Sequence, residues 1–308
     1  PTEDDLLSLD DLKNIDKAYK LLVDAVYKDK RIAVHFDTDT DGVAAGTIMT
    51  RHLKNMTENP VDVYINRGKQ HGLANQDIAK FYGYDLLIVV DSLDKDETQY
   101  KDLKETGVDV IVLDHHAIDP DVPYDNYCTL VSSQREYENP QLSGAGVVWK
   151  FCKYIDEQNG TDYADDLVDL AGVGLIADMM EEAENYGFDG FNLDFESLKP
   201  EAMPHYVQFI REMSIACRER GLVLSVDNYV PSEYTADYNR KEQGIVADYV
   251  IIMGYDEHWG GSEVAGSVAS LGYVTEGIER MTQEVPSEKV INAVPLYTRI
   301  WTTAEDGA

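Results

Sequence analysis

The segment VHFDTDTDG sets His35, Asp37, Asp39 and Asp41 two residues apart, at the end of an apolar β-branched run and directly before Gly42. Alternate residues on an extended chain point the same way, so this spacing predicts four side chains converging on one point. Three carboxylates that close repel one another unless a cation lies among them. Mixed imidazole and carboxylate donors suit Mn²⁺, Fe²⁺ or Zn²⁺ better than Ca²⁺. Asp91 closes the run LLIVVD, and Asp114, His115 and His116 close VIVLDHH. Each piece alone has a plainer reading: an Asp after a strand commonly caps a helix, and adjacent histidines are commonly a polar turn. Together, at successive strand ends, they predict a metal site in the crevice that an open α/β sheet forms at the carboxyl ends of its strands.

A second acidic group stands in GFDGFNLDFE, with Asp189, Asn192, Asp194 and Glu196. Period two puts Asn192, Asp194 and Glu196 on one face, and the proximity of Asp194 and Glu196 predicts one raised carboxyl pKa, as a general acid near neutral pH requires. Tyr229, Tyr255, Trp259, Tyr297 and Trp301 recur at later strand ends. Flat rings of that kind stack on sugars, although aromatic residues serve equally well as core.

The elements that must carry these groups alternate along the chain. RIAVHF, VDVYIN, DLLIVVD and VDVIVLD read as strands, and GVAAGTIMTRHLKNM and LDKDETQYKDLKETG as helices between them. Near-continuous apolar strands imply burial on both faces, so the first part reads as a doubly wound parallel α/β sheet. SGAGVVWKFCKYIDEQ and ADDLVDLAGVGLIADMM continue it as helices. FDGFNLDFE, LVLSVDNY, ADYVIIMGYD and KVINAVPLY then resume as strands around PHYVQFIREMSIACRERG and VTEGIERMTQEV. Their acidic and aromatic carboxyl ends are what a (β/α) barrel presents on its catalytic face. The change of character falls near residue 180, inside ADMMEEAENYG, with no linker-like composition. Two domains are therefore expected, 1–180 and 181–308.

The 308 residues, 44% of them hydrophobic, exclude a wholly disordered chain. A formal charge of −32 argues against bulk electrostatic binding of nucleic acid. Cys128, Cys152 and Cys217 lack the spacing of a disulfide framework or a thiolate zinc site. No apolar run approaches the roughly 20 residues needed to span a bilayer, so no membrane association is expected.

HFDTDTDG, the Asp of VVDS, LDHHA and the Asp of GLIAD together resemble the four motifs of the DHH phosphoesterases, in particular the RecJ-type single-strand exonucleases, over about residues 20–180. The resemblance implies that His35, Asp39, Asp41, Asp91, His115, His116 and Asp178 hold two Mn²⁺ ions, with Mg²⁺ as the alternative. Asp91 would bridge them, and Asp37 and Asp114 would be ligands or supports that orient the imidazoles. It also implies hydrolysis of a phosphodiester or phosphoanhydride, in single-stranded nucleic acid or a small nucleotide, in the cytoplasm. SGAGVVWKF resembles the family's glycine-containing segment, which reads either as a phosphate contact or as a tightly packed helix start.

DGFNLDFE, MGYDEHW and VPLYTRIW resemble the family 18 glycoside hydrolases, the chitinase-like group that includes cell-wall hydrolases. That likeness implies Glu196 as acid and Asp194 as its electrostatic helper, with Tyr255 and Asp256 positioning the N-acetyl group of an N-acetylglucosamine polymer outside the cell. The substrate's own N-acetyl group would then be the nucleophile. The match runs only from the fourth barrel strand to about the seventh, so an incomplete second site is expected. The whole reads as a chimera: a metal-dependent phosphoesterase joined to a partial (β/α) barrel. A glycosidase is the alternative, and an inactive hybrid of two truncated domains a further one.

Overall fold

The computed structural model describes residues 8–66, 71–74 and 76–302. The chain divides into two compact units, one over Leu6–Glu181 and the other formed mainly by Glu182–Ala308. Each is described by itself.

In the first unit the elements run α1 (Ile15–Tyr27), β1 (Ile32–Phe36), α2 (Thr40–Met56), β2 (Val61–Ile65), β3 (Leu86–Val90), α3 (Thr98–Glu105), β4 (Asp109–Asp114), β5 (Thr129–Ser132), α4 (Gly144–Asn159) and the start of α5 (Val168–Tyr186). Five parallel strands pair in the order β2-β1-β3-β4-β5. The chain winds outward in both directions from β1, so β1 and β3 flank the switch point where such sheets open a ligand crevice.

Period two explains the apolar strand sequences. Val34, Ile88, Ile111 and Val131 face a core closed by α1, α2 and α4, with Leu22, Ile48, Met49 and Phe151 among its members. Ala33, Leu87, Val89, Val110, Val112 and Leu130 face a second core with Phe81, Tyr100, Leu103 and Tyr124. Each large apolar side chain buried this way contributes about 1.5–3 kcal/mol. With helices and loops on both faces, the sheet is doubly wound as the sequence predicts.

Three elements differ from expectation. α3 begins only at Thr98, because Ser92 and Asp94 are engaged in loop contacts instead of a helix turn. β5 and α1 were not anticipated. β5 is four residues long, and α1 buries the thin stripe Ile15, Ala18, Leu22 and Ala25.

After α5 the second unit continues with β6 (Gly190–Leu193), α6 (Met203–Arg220), β7 (Val223–Tyr229), α7 (Arg240–Val246), β8 (Tyr249–Met253), α8 (Leu271–Met281) and β9 (Val290–Ala293). The strands pair in chain order, β6-β7-β8-β9, all parallel, as consecutive barrel strands do. Among the described residues the sheet is open, and β6 and β9 each have one neighbour. A small cluster of Val250, Ile252, Met281 and Val285 sits under it, while Leu296 and Ile300 are almost fully exposed. No helix among the described residues is long and apolar enough to cross a membrane.

Candidate metal centre and a second acidic cleft

Three groups of donors gather at the carboxyl ends of β1, β3 and β4. Asp91, His115 and His116 form one, Asp41, His115 and Asp178 a second, and Asp37, Asp39 and His71 a third; within each, the donor atoms lie within 4.8 Å of one another. His115 joins the first two. Its Nε2 is 3.3 Å from Asp91 Oδ1 and 3.7 Å from Asp41 Oδ2, and its Nδ1 is 3.7 Å from Asp178 Oδ2. His116 Nδ1 lies 3.7 Å from the same Asp91 oxygen.

The charges press on one another. Burial, then the charges of Asp41 and Asp114, push Asp91 far above the ordinary carboxylate range. Burial and Asp41 push Asp178 up to about 7. Burial works against a charged His116, but the hydrogen bond and charge of Asp114 outweigh it and hold the ring at about 10. Carboxylates that resist ionisation until positive charge is supplied are the electrostatic mark of a cation site.

The supports are equally specific. Asp114 Oδ1 accepts from the amide of His116 at 2.6 Å and lies 3.0 Å from the ring Nδ1, while its Oδ2 accepts from Leu93 N at 2.9 Å. Asp114 thus takes the supporting role and orients His116. Asp41 accepts from the amides of Gly144 (2.6 Å) and Ala145 (3.0 Å) at the start of α4, whose N-cap is Ser143. A side chain at Gly144 would run into the Asp91 carboxylate. The glycine segment is therefore a tightly packed helix start built against the centre. Asp91 itself sits just past β3 with φ of 50°, in the left-handed region that costs a non-glycine residue energy.

Two parts of the alternation argument fail. The strand stops at Phe36 and α2 starts at Thr40, so Asp39 is the N-cap, accepting from Gly42 N at 2.7 Å, and Asp41 lies in the first helical turn. Period two ends where the strand does, and the four residues of HFDTDTDG do not converge on one point. The helix-capping reading of an Asp after a strand applies here to Asp39. His35, inside β1 between Tyr64 and Val89, is fully buried against Phe81 and outside all three groups. Burial lowers its pKa to about 4. His71 was missed by sequence reasoning. It is a lone histidine in the loop after β2, and only the placement of β2 beside β1 signals that this loop overhangs the centre.

In the second unit, Asp194 and Glu196 lie just past the end of β6. Tyr229 donates to Glu196 Oε2 at 2.7 Å, and Asn192 donates to Asp227 at 3.0 Å. Asp194 is the carboxyl whose pKa is raised, by burial first, then by Asp227, and only then by Glu196. The expected like-charge effect is present but falls mainly to Asp227, which the sequence reading did not single out. Glu196, Tyr229, Tyr255, Asp256 and Trp259 line a cleft of about 540 Å³. Asp256 is fixed by Tyr297 (2.7 Å) and Arg299 (2.6 Å).

Residues 31–175 match the DHH family, N-terminal domain, and residues 141–308 match the glycosyl hydrolases family 18, the two matches overlapping across α4. The chain belongs to glycosyl hydrolases family 18 through its second part, and its first part is similar to the DHH family, so it is a two-part protein of hydrolase families. It is 31% identical over 170 residues to the putative SPbeta prophage-derived single-strand DNA-specific exonuclease YorK of Bacillus subtilis (strain 168), covering 54% of this chain and 29% of YorK. It is 31% identical over 136 residues to the uncharacterized glycosylase YvbX of the same organism, covering 41% of this chain and 38% of YvbX. A crystal structure of the exonuclease RecJ bound to manganese aligns with a TM-score of 0.50 at 30% identity, covering 56% of this chain and 45% of that one. The chain thus spans less than two-fifths of either curated relative.

Proposed function

We propose that the chain is a divalent-metal-dependent phosphoesterase that hydrolyses phosphodiester bonds in single-stranded nucleic acid or a small nucleotide, with residues 1–180 as the phosphoesterase domain and 181–308 as a partial family 18 barrel. One observation carries the reading: Asp91 Oδ1 is buried and takes no hydrogen bond, yet faces ring nitrogens of both His115 and His116. A buried carboxylate oxygen without a donor is costly unless a cation completes it.

The donor set fits two divalent ions, Mn²⁺ or Mg²⁺, held by Asp41, Asp91, His115, His116 and Asp178. When bound, such a pair supplies hydroxide at neutral pH and neutralises charge developing on phosphoryl oxygens. A carboxylate has two oxygens to share and an imidazole nitrogen one lone pair, so Asp91 rather than His115 would be the residue shared between the two ions. Asp114 fixes the ring of His116, and the Gly144 and Ala145 amides fix Asp41. The charge of −32 favours a short substrate over a long polyanion.

The test is calorimetric titration of Mn²⁺ into the metal-stripped chain, with Asp91→Ala beside it, followed by a dinucleotide and an end-labelled single-stranded oligonucleotide as substrates. Two tight sites that vanish in Asp91→Ala are expected. Unchanged binding in the variant refutes the assignment.

A second reading, hydrolysis of an N-acetylglucosamine polymer, is favoured by the Tyr229–Glu196 hydrogen bond in the cleft of the second unit. By that reading Glu196 is the acid, with Asp194 beside it and Tyr255 holding the substrate. Release of a chromophore from an N-acetylglucosamine oligomer, abolished in Glu196→Gln, supports it; equal release by the variant rejects it.

A further inference from the structure

We propose that the open sheet of the second unit is one half of a barrel that a second copy of this chain completes. Among the described residues, β6 pairs only with β7 and β9 only with β8, so the sheet ends on two unpaired parallel edges. The edge strands match in length, Gly190–Leu193 and Val290–Ala293 being four residues each. Unpaired edges of this kind are templates for pairing with another chain.

The two faces of the sheet are unequally covered. α6 packs on β7, α7 on β8, and α8 on β8 and β9. On that side Leu224, Val226, Val250 and Ile252 are buried, the last two against Met281 and Val285. Alternate side chains point the other way. There Val223, Tyr249 and Ile291 are 41%, 41% and 43% exposed, and Ile251 is half-buried. Sheets made only of parallel strands occur almost only with both faces covered. Among the described residues this one leaves an apolar face and both edges uncovered together.

A second copy covers all three at once. Eight parallel strands with outer helices close into a barrel whose interior is filled by inward side chains, and β6–β9 are four, already in barrel order. A twofold axis along the barrel sets β9 of one copy beside β6 of the other, running the same way, and repeats the seam on the opposite side. A single added strand pairs with one edge and leaves the other bare. Val294 and Leu296, exposed just past β9, then lie beside the seam. Asp194 and Glu196 follow β6, itself a seam strand, so the partner supplies the acidic cleft with a further wall. The inference goes beyond both functional readings, since association is measured without either activity.

The experiment is sedimentation equilibrium of the full chain at about 0.15 M salt, which screens the repulsion between two chains of charge −32. A dimer is expected for the parent, and a monomer for Ile291→Lys and for Val223→Lys, which put a charge on the inward face; unchanged circular dichroism shows that they fold. A cross-link locates the seam. Asn192 and Ala293 lie on the inward side of the two edge strands, three strand spacings apart within one copy and one spacing apart across the seam. The native cysteines are all buried. A short bismaleimide should therefore join two copies of the double variant Asn192→Cys with Ala293→Cys, and neither single variant; if the lysine variants unfold, this result alone decides. A parent that stays monomeric at every concentration overturns the proposal, as does a dimer that both lysine variants retain and the cysteine pair does not link. An open-ended series of larger assemblies also overturns it, because two copies then fail to close. A linked dimer that releases no chromophore from an N-acetylglucosamine oligomer supports the seam and counts against the glycosidase reading alone.

Discussion

Gly144→Ala is the sharpest probe of how the centre is built. In most helices this change stabilises by about 1 kcal/mol, because alanine has the better helix propensity. At position 144 the added methyl meets Oδ1, Cγ and Cβ of Asp91. Asp91 is itself buried and wedged among other groups, so it has little room to retreat. Overpacking of this kind costs about 1–3 kcal/mol. Gly146→Ala is the matched control one half-turn on, where the nearest atoms, in Ser143 and Leu142, stand at 3.5–3.7 Å, ordinary contact. The propensity gain is common to both variants, so the difference between them isolates the clash: Gly144→Ala should be less stable than Gly146→Ala by about 1–3 kcal/mol. Displacing Asp91 should also weaken Mn²⁺ binding by about 10–100-fold, as loss of a ligand's supporting contacts does, while Gly146→Ala binds as the parent does. Thermal unfolding and calorimetric Mn²⁺ titration of the three proteins read both quantities. Equal stability and equal affinity in the two variants would refute the idea that α4 is packed against the centre for the sake of Asp91.

Two further outcomes follow from other parts of the molecule. His52 Nε2 lies 3.0 Å from Asp156 Oδ1 with both groups buried, and burial lowers the histidine's pKa despite that partner. With the folded value below the unfolded one of about 6.5, the neutral ring's contribution is complete above that pH. It is lost as the pH falls through the folded value, with a slope of at most about 1.4 kcal/mol per pH unit. Denaturant unfolding at several pH values, parent minus His52→Gln, should show that slope below pH ~6.5; a pH-independent difference contradicts it. In the second unit a methyl at Gly190 meets the backbone of Val223, its register partner in β7, which cannot step aside as a side chain can. Gly190→Ala should therefore cost about 1–3 kcal/mol and speed hydrogen exchange at the β7 amides, and parent-like exchange there argues against tight β6–β7 packing.

The centre of the sheet was legible because its strands are buried on both faces, which leaves runs with almost no polar interruption; IAVHF and LLIVV are buried at every position. β5 was not, since TLVS is short and half polar. The clustered donors at strand ends, Asp91 and the His115–His116 pair, could be read because a strand end is a local event. His71 could not, because its nearness to His116 depends on sheet order, which sequence spacing does not encode. The alternation rule misplaced His35 for the opposite reason. It was applied across a strand-to-helix corner at Asp39, where its geometry no longer holds. Asp227 was overlooked because a single acid in LSVDNY carries no pattern; only β6–β7 pairing brings it to Asn192.

The left-handed backbone at Asp91 bears on how such a chain drifts. Glycine occupies that conformation without penalty, whereas aspartate pays about 1 kcal/mol or more for it. A lineage freed from the need for a carboxylate here would gain stability by exchanging it for glycine, and a site abandoned by selection is expected to relax in that direction first. Aspartate at 91 stands against the folding gradient, so substitution at this one position distinguishes a working descendant from a decaying one before any other residue of the centre changes.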